Sequence, residues 1–370
     1  MVTPSIESFR PAGRRAEPRD MSGPHGRRGL ALLVAITAAL AVGNATHAAD
    51  RATLKQLSVA GLGQGTGPVR SSVLTKGSRR LAAQPGAWGG VYTGKNGSHV
   101  TIYSSRYYPV DPAVNQAAAD FVDGLVHGTE ISGVKIYFAP PAEVEILCYS
   151  KDVDGCYFPA SGEIITLGED TQWSTVEEVV AHEYGHHVAN NRLNDPWPAI
   201  AYGTKRWATY ESICAKEAAG ATFPGDEGEH YLQNPGEAFA ESFLHLNEVK
   251  LGMPETPWFY DPALAPDAGA LAAIEQDVLK PWKEDAIKRW SGRFSRRGQH
   301  KTYTFKTPLD GVFAAELRGP RGSTLRVTGG SEVKRISPTL SAALICGQRK
   351  VTARFSAGAA GRFAAATAIP

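Results

Sequence analysis

Near the middle of the chain, His182-Glu183-Tyr184-Gly185-His186 sets two imidazoles four residues apart with a carboxylate beside the first. On a helix that spacing puts both rings on one face, where two neutral nitrogens can hold one divalent metal and Glu183 can take a proton from water. A catalytic zinc needs a third protein ligand and an open fourth position. The extended form of the motif would supply a third histidine at 192 after a glycine at 189, but this chain has Ala189 and Arg192. A glutamate from a later helix is the remaining source, and Asn234-Pro-Gly-Glu-Ala-Phe-Ala-Glu241 offers Glu237 and Glu241, again four apart. One of the two can ligate metal while the other accepts a hydrogen bond from the far nitrogen of a ligating histidine. A plainer role competes: with Asn234 as N-cap and Pro235 at N1, Glu237 falls at N3, where glutamate closes a capping box. Two acids on an otherwise apolar helix, in a chain short of one ligand, favour the metal. His245 is the fallback third ligand; otherwise His187 and His245 read as helix-packing or surface residues.

These residues need elements to carry them. Ser174 to Asn191 reads as one long helix, with Ser174/Glu177 or Thr175/Glu178 as capping box and Val176, Val179, Val180, Tyr184 and Val188 as its apolar stripe. Ahead of it lie strand candidates 90–93, 99–103, 134–138 and 144–148, a helix over 112–127, and a hairpin formed by 157–159 and 163–167. After it come an irregular stretch with a short helix around 210–218, a helix from Asn234-Pro235 to Val249, and another from Ala268 to Trp290 interrupted at Pro281. Beyond Gly298 short alternating runs separated by Gly, Pro and Ser predict a small all-β sandwich. Asp152-Val-Asp154-Gly155 reads as a turn rather than a calcium loop, because its glycine comes too early. Trp197, Tyr202 and Trp207 read as core aromatics before cleft residues.

His182-Glu183-x-x-His186 followed by Glu237 in Glu-Ala-Phe-Ala-Glu resembles the gluzincin class of zinc metallopeptidases, the thermolysin-like group. The Asn234–Glu241 stretch is also similar to the third-ligand helix of anthrax-lethal-factor-like peptidases and secreted bacterial relatives. The matched stretches cover about a tenth of the chain, and the element order fits from about 88 to 298. The resemblance implies an α+β zincin-like catalytic domain over 88–298, with a mixed sheet, an active-site helix and a helical second half, followed by the sandwich over 299–370 as an accessory domain. It implies peptide-bond hydrolysis with Zn²⁺ on His182, His186 and Glu237, Glu183 as general base, and Glu241 supporting a ligating histidine where the thermolysin-like pattern has an aspartate. His230 and Tyr231 are the candidate donors to the developing oxyanion, Tyr231 preferred since such peptidases often use a tyrosine there. Substrate is expected to add as a strand beside 162–167. Other readings are a zinc amidase of cell-wall peptide cross-links and a non-catalytic zincin-fold binding module.

The 370 residues carry 39 Lys+Arg against 37 Asp+Glu, with 42% hydrophobic residues, which excludes a disordered tail and a polybasic nucleic-acid binder. Residues 1–48 hold six arginines and three acids, so the rest of the chain has 33 basic and 34 acidic residues and favours neither nucleic acid nor an anionic membrane. Arg27-Arg28 precede an apolar run from Gly29 to Gly43, then small residues with Ala45, Ala48 and Ala49 as cleavage candidates. This reads as a signal peptide, with Met21 as the alternative start. Fifteen residues rise about 22 Å as a helix, short of the roughly 30 Å hydrocarbon core, so no stable membrane anchor is expected. A twin-arginine signal is the looser alternative. Residues 49–87 read as a linker or short propeptide. All four cysteines follow the leader, and an even count suits disulfides. Cys148 and Cys156 are expected to bridge locally across a hairpin, leaving Cys214 and Cys346 by elimination. The expectation is a secreted, extracellular, monomeric enzyme acting on protein or peptide.

Overall fold

Short β-branched and aromatic segments build the first sheet, in a computed structural model that describes residues 53–60, 62–74, 84–330, 332–347 and 349–370. The expected signal peptide over 1–48 lies outside the described residues. Strands β1 (Trp88–Thr93) and β2 (His99–Ser104) form an antiparallel hairpin. Helix α1 (Pro112–Val122), capped by Asp111, carries the chain to β3 (Lys135–Ala139), which runs parallel to β2. Helix α2 (Pro141–Cys148) leads to β4 (Gly155–Phe158) and β5 (Glu163–Leu167), and the sheet order is β1-β2-β3-β5-β4. Ile102, Ile136 and Ile164 project from its middle strands into the core.

Helix α3 (Val176–Asn190) packs against β4 and β5 and is buried at every residue except Asn190. Its start is fixed by the Thr175/Glu178 capping box: the Thr175 hydroxyl accepts from the Glu178 amide while Glu178 Oε2 accepts from the Thr175 amide at 2.7 Å. Short helices α4 (Ala199–Tyr202), α5 (Lys205–Tyr210) and α6 (Ile213–Ala218) precede α7 (Pro235–Leu251) and α8 (Ala268–Leu279). Helix α7 opens on Asn234, whose side chain accepts from the Gly236 amide at 3.0 Å, and ends at left-handed Gly252. It lies against α3 at Gly185, where a Cβ would come within 2.8 Å of the Ala240 Cα. The missing side chain is what lets the two backbones approach.

The remaining chain is all β. Strands β6 (Ala286–Phe294), β7 (His300–Lys306), β8 (Gly311–Arg318), β9 (Thr324–Thr328), β10 (Glu332–Ser337), β11 (Leu340–Ile345), β12 (Lys350–Ser356) and β13 (Gly361–Ile369) form a five-stranded sheet, β10-β11-β8-β13-β6, and a three-stranded one, β7-β12-β9. Strict alternation puts Val351, Ala353 and Phe355 of one sheet and Phe313, Ala315 and Leu317 of the other into a shared apolar core. Cys214–Cys346 ties α6 to the residue after β11.

Several expectations change. Residues 144–148 form the end of α2 instead of a strand, because Pro140-Pro141 starts a helix and a short apolar run does not reveal its own period. Cys148–Cys156 is bonded as expected, but it joins the end of α2 to β4 across the left-handed Tyr149 rather than spanning a hairpin. The helix from Pro112 stops at Val122, and the one from Ala268 stops at Leu279. Residues 286–294 then become the first sandwich strand, paired along its length with β13. Strand β5 is interior, hydrogen-bonded to β3 and β4, so 163–167 has no free edge for a substrate; β4 is the outer strand on this side of the sheet.

The described part of 49–87 packs closely on this framework. Leu54 and Leu57 enter the core, Thr66 and Gly67 donate to the Trp173 carbonyl, and Val73 bridges Tyr157 in parallel.

Candidate metal centre

Two helices meet to make the site. His182 and His186 lie one turn apart on α3, with ring centroids separated by 5.0 Å. Glu237, in the first turn of α7, brings Oε2 to 3.2 Å from His182 Nε2 and Oε1 to 3.2 Å from His186 Nε2. One ligand atom from each of the three residues lies within 4.8 Å of the others, and all three side chains are buried. Asn234, not Glu237, caps α7, which leaves the Glu237 carboxylate to the histidines. His186 Nδ1 makes no hydrogen bond, and Glu237 Oε1 has only His186 Nε2 beside it, in poor hydrogen-bond geometry. Buried acceptors left without donors are costly. Two imidazoles and a carboxylate converging in this way fit a divalent ion, so the group can hold a metal.

Glu241, one turn further along α7, holds His182 Nδ1 at 2.8 Å through Oε2. With the Nδ1 proton donated there, His182 presents the lone pair of Nε2 to the cluster. Burial alone would lower the His182 pKa, but Glu237 and Glu241 outweigh it and raise it; burial lowers that of His186. Desolvation would raise Glu237, yet His186 and His182 hold it far below the usual carboxylate range.

Glu183 is fully buried beside the histidines, and burial pushes its pKa up to about 8 against the opposing effects of the His182 charge and the Ser71 hydroxyl. It faces β4 at Gly155, where a Cβ would stand 2.8 Å from Glu183 Oε1. The Tyr231 hydroxyl donates to Glu237 Oε2 at 2.8 Å and lies 3.3 Å from the Tyr260 hydroxyl. Burial and the Glu237 charge hold the Tyr231 phenol well above its ordinary pKa.

Other histidines stand apart. His230 pairs with Asp226 and stacks on Phe223. His187 packs between the Tyr157 hydroxyl and the Glu130 carbonyl. His245 pairs with Glu248 Oε2 at 3.0 Å, outside the cluster. Trp207 is core, packed edge-on against Phe239, and Asp154 is buried in a turn.

Two neighbours of the cluster have no sequence signal. Ser71 Oγ lies 3.5 Å from His186 Nε2, and its amide donates to the Tyr231 hydroxyl at 3.3 Å. Nothing in the Gly/Ser-rich run around it points to a site. Tyr260 comes from the loop before α8, where Trp258-Phe259-Tyr260 is at most a sign of aromatic packing. No protein-family model, curated protein or solved structure matches this chain.

Proposed function

We propose that the protein is an exported zinc-dependent peptidase of gluzincin type that hydrolyses peptide bonds in protein or peptide substrates. The observation that carries the reading is the Glu183 carboxylate buried next to a His182–His186–Glu237 donor set. Two imidazoles with one carboxylate suit zinc, and a three-ligand set leaves a coordination position for chemistry. When bound, zinc supplies Lewis acidity that acidifies water and polarises a carbonyl.

The chain's own groups do the rest. Glu183 takes the proton from water and returns it to the leaving amine nitrogen. Glu241 keeps His182 in the tautomer that offers Nε2. Tyr231 keeps its proton at neutral pH, so it is a donor. That proton is engaged with Glu237 here, and assisting a developing oxyanion requires the bond to be exchanged. Export is supported by the two disulfides, which suit an oxidising compartment, and among the described residues no helix is long and apolar enough to cross a membrane.

The test is metal analysis with casein cleavage in the presence and absence of a chelator. Stoichiometric zinc and chelator-sensitive cleavage are expected. Glu183→Gln should keep zinc and lose roughly 10²–10⁴-fold in rate, and Glu237→Ala should lose the metal. Zinc retained at full stoichiometry by Glu237→Ala would overturn the ligand set. Release of products from purified cell wall without casein cleavage would move the reading to an amidase, and zinc without turnover on either would leave a binding module.

A further inference from the structure

Beside the metal cluster, the outer strand β4 is not bare. Residues 70–74 run along it: the Tyr157 amide donates to the Ser72 carbonyl at 3.0 Å, the Leu74 amide donates to the Tyr157 carbonyl at 2.9 Å, and Val73 and Tyr157 form a parallel bridge. The same segment turns toward the site. Ser71 is buried with its hydroxyl 3.5 Å from His186 Nε2, and the Val73 amide donates to Glu227 Oε2 at 3.3 Å. Arg70 is held at both levels: its amide and guanidinium donate to Asp154, with Arg70 Nη2 to Asp154 Oδ1 at 2.8 Å, and its carbonyl accepts from the Asp154 amide at 2.8 Å. The Asp154 carboxylate is fully buried, so this guanidinium is its charge partner.

An extended chain that pairs with an outer strand through main-chain hydrogen bonds, lodges one side chain on a buried acid and lays the next against a ligand nitrogen is placed as a peptide substrate would be. We propose that Arg70–Leu74 is a resident pseudosubstrate: it fills the peptide groove along β4 at the metal centre, and that groove takes an extended chain with an arginine against Asp154. The inference rests on the peptidase reading and adds to it a substrate class and a built-in block.

The decisive experiment uses the full-length, zinc-loaded protein and its Leu74→Pro and Arg70→Ala/Leu74→Pro variants. Proline at 74 removes the amide that donates to Tyr157, and alanine at 70 removes the guanidinium. Three quantities are read: casein cleavage, the rate of zinc release to a chelator, and binding of the labelled heptapeptide Pro-Val-Arg-Ser-Ser-Val-Leu, the sequence of 68–74, by fluorescence polarisation. The double variant should cleave at least tenfold faster than wild type, release zinc faster, and bind the heptapeptide, whereas wild type should not bind it. The heptapeptide with alanine in place of arginine should bind about tenfold more weakly, as loss of one charged hydrogen-bonded contact implies. Unchanged cleavage and zinc release in the double variant would overturn the block, as would cleavage that falls while zinc stays bound. Equal binding of the two heptapeptides would overturn the Asp154 site. If no form cleaves but the double variant alone binds the heptapeptide and releases zinc faster, the groove stands and the peptidase reading falls.

Discussion

Gly185→Ala is a sharp test of how the metal cluster is assembled. An alanine Cβ at 185 would stand 2.8 Å from the Ala240 Cα, 3.1 Å from the Ala240 carbonyl oxygen and 3.2 Å from the Phe243 Cβ. Two of these neighbours are backbone, so α7 must retreat by about 0.6 Å to restore ordinary contact at 3.4 Å. Helix propensity favours alanine by about 1 kcal/mol, while overpacking a closed helix interface costs about 1–3 kcal/mol. The net effect on the metal-free protein is a loss of about 0–2 kcal/mol. The larger effect falls on the metal, because His182 and His186 ride on α3 and Glu237 and Glu241 on α7. A shift of about 0.6 Å exceeds the roughly 0.2 Å that ligand distances tolerate. Zinc affinity should fall by about tenfold or more, which removes about 1.4 kcal/mol of stability in excess zinc. The assays are chelator competition for affinity and urea unfolding with and without zinc. Unchanged zinc affinity with about 1 kcal/mol of added stability would refute the reasoning, since alanine would then show only its helix propensity.

Three other outcomes follow from the same geometry. Glu241→Ala should weaken zinc about 10–100-fold without abolishing binding, measured by the same competition, because His182 loses its Nδ1 partner. Lys205 is buried with its ammonium 2.5 Å from the Asp195 carbonyl and 4.5 Å from the Trp282 ring, and burial lowers its pKa to about 8 from 10.5. The unfolded chain therefore binds more protons between about pH 8 and 10.5, and stability should rise with pH across that window by about 3 kcal/mol. Lys205→Met should remove that rise in denaturant melts at pH 7 and pH 10. Cys214→Ser/Cys346→Ser releases a cross-link over a sequence separation of 132 residues, so unfolding in urea should move down by up to about 5 kcal/mol on the chain-entropy model. An unchanged midpoint would mean the sandwich is held to α6 by packing alone.

The chemistry-bearing part of the chain was legible because it is periodic. The i, i+4 spacing of His182 with His186 and of Glu237 with Glu241 survives any rotation of the helices that carry it, and caps at Thr175 and Asn234 marked where those helices begin. Residues 144–148 and 163–167 show the limits of the same method. A four- or five-residue apolar run is shorter than the window in which a helix and a strand differ, and a strand's neighbours are set by other parts of the chain. The aromatic residues divided in the same way: Trp207 is core as its composition suggested, whereas Tyr260 reached Tyr231 through a loop with no pattern of its own.

By itself the sequence determined two helices with paired histidines and paired glutamates, an even set of cysteines that pair as their spacing and elimination suggested, and an all-β end. These are local or combinatorial properties, fixed by neighbours along the chain. Only the tertiary structure decided that Gly185 brings Glu237 to the histidines, that Glu241 holds His182, and that residues 70–74 lie on β4 beside Ser71 and His186. Each of these joins residues more than fifty positions apart, and such contacts depend on which faces are buried together rather than on any pattern within a segment.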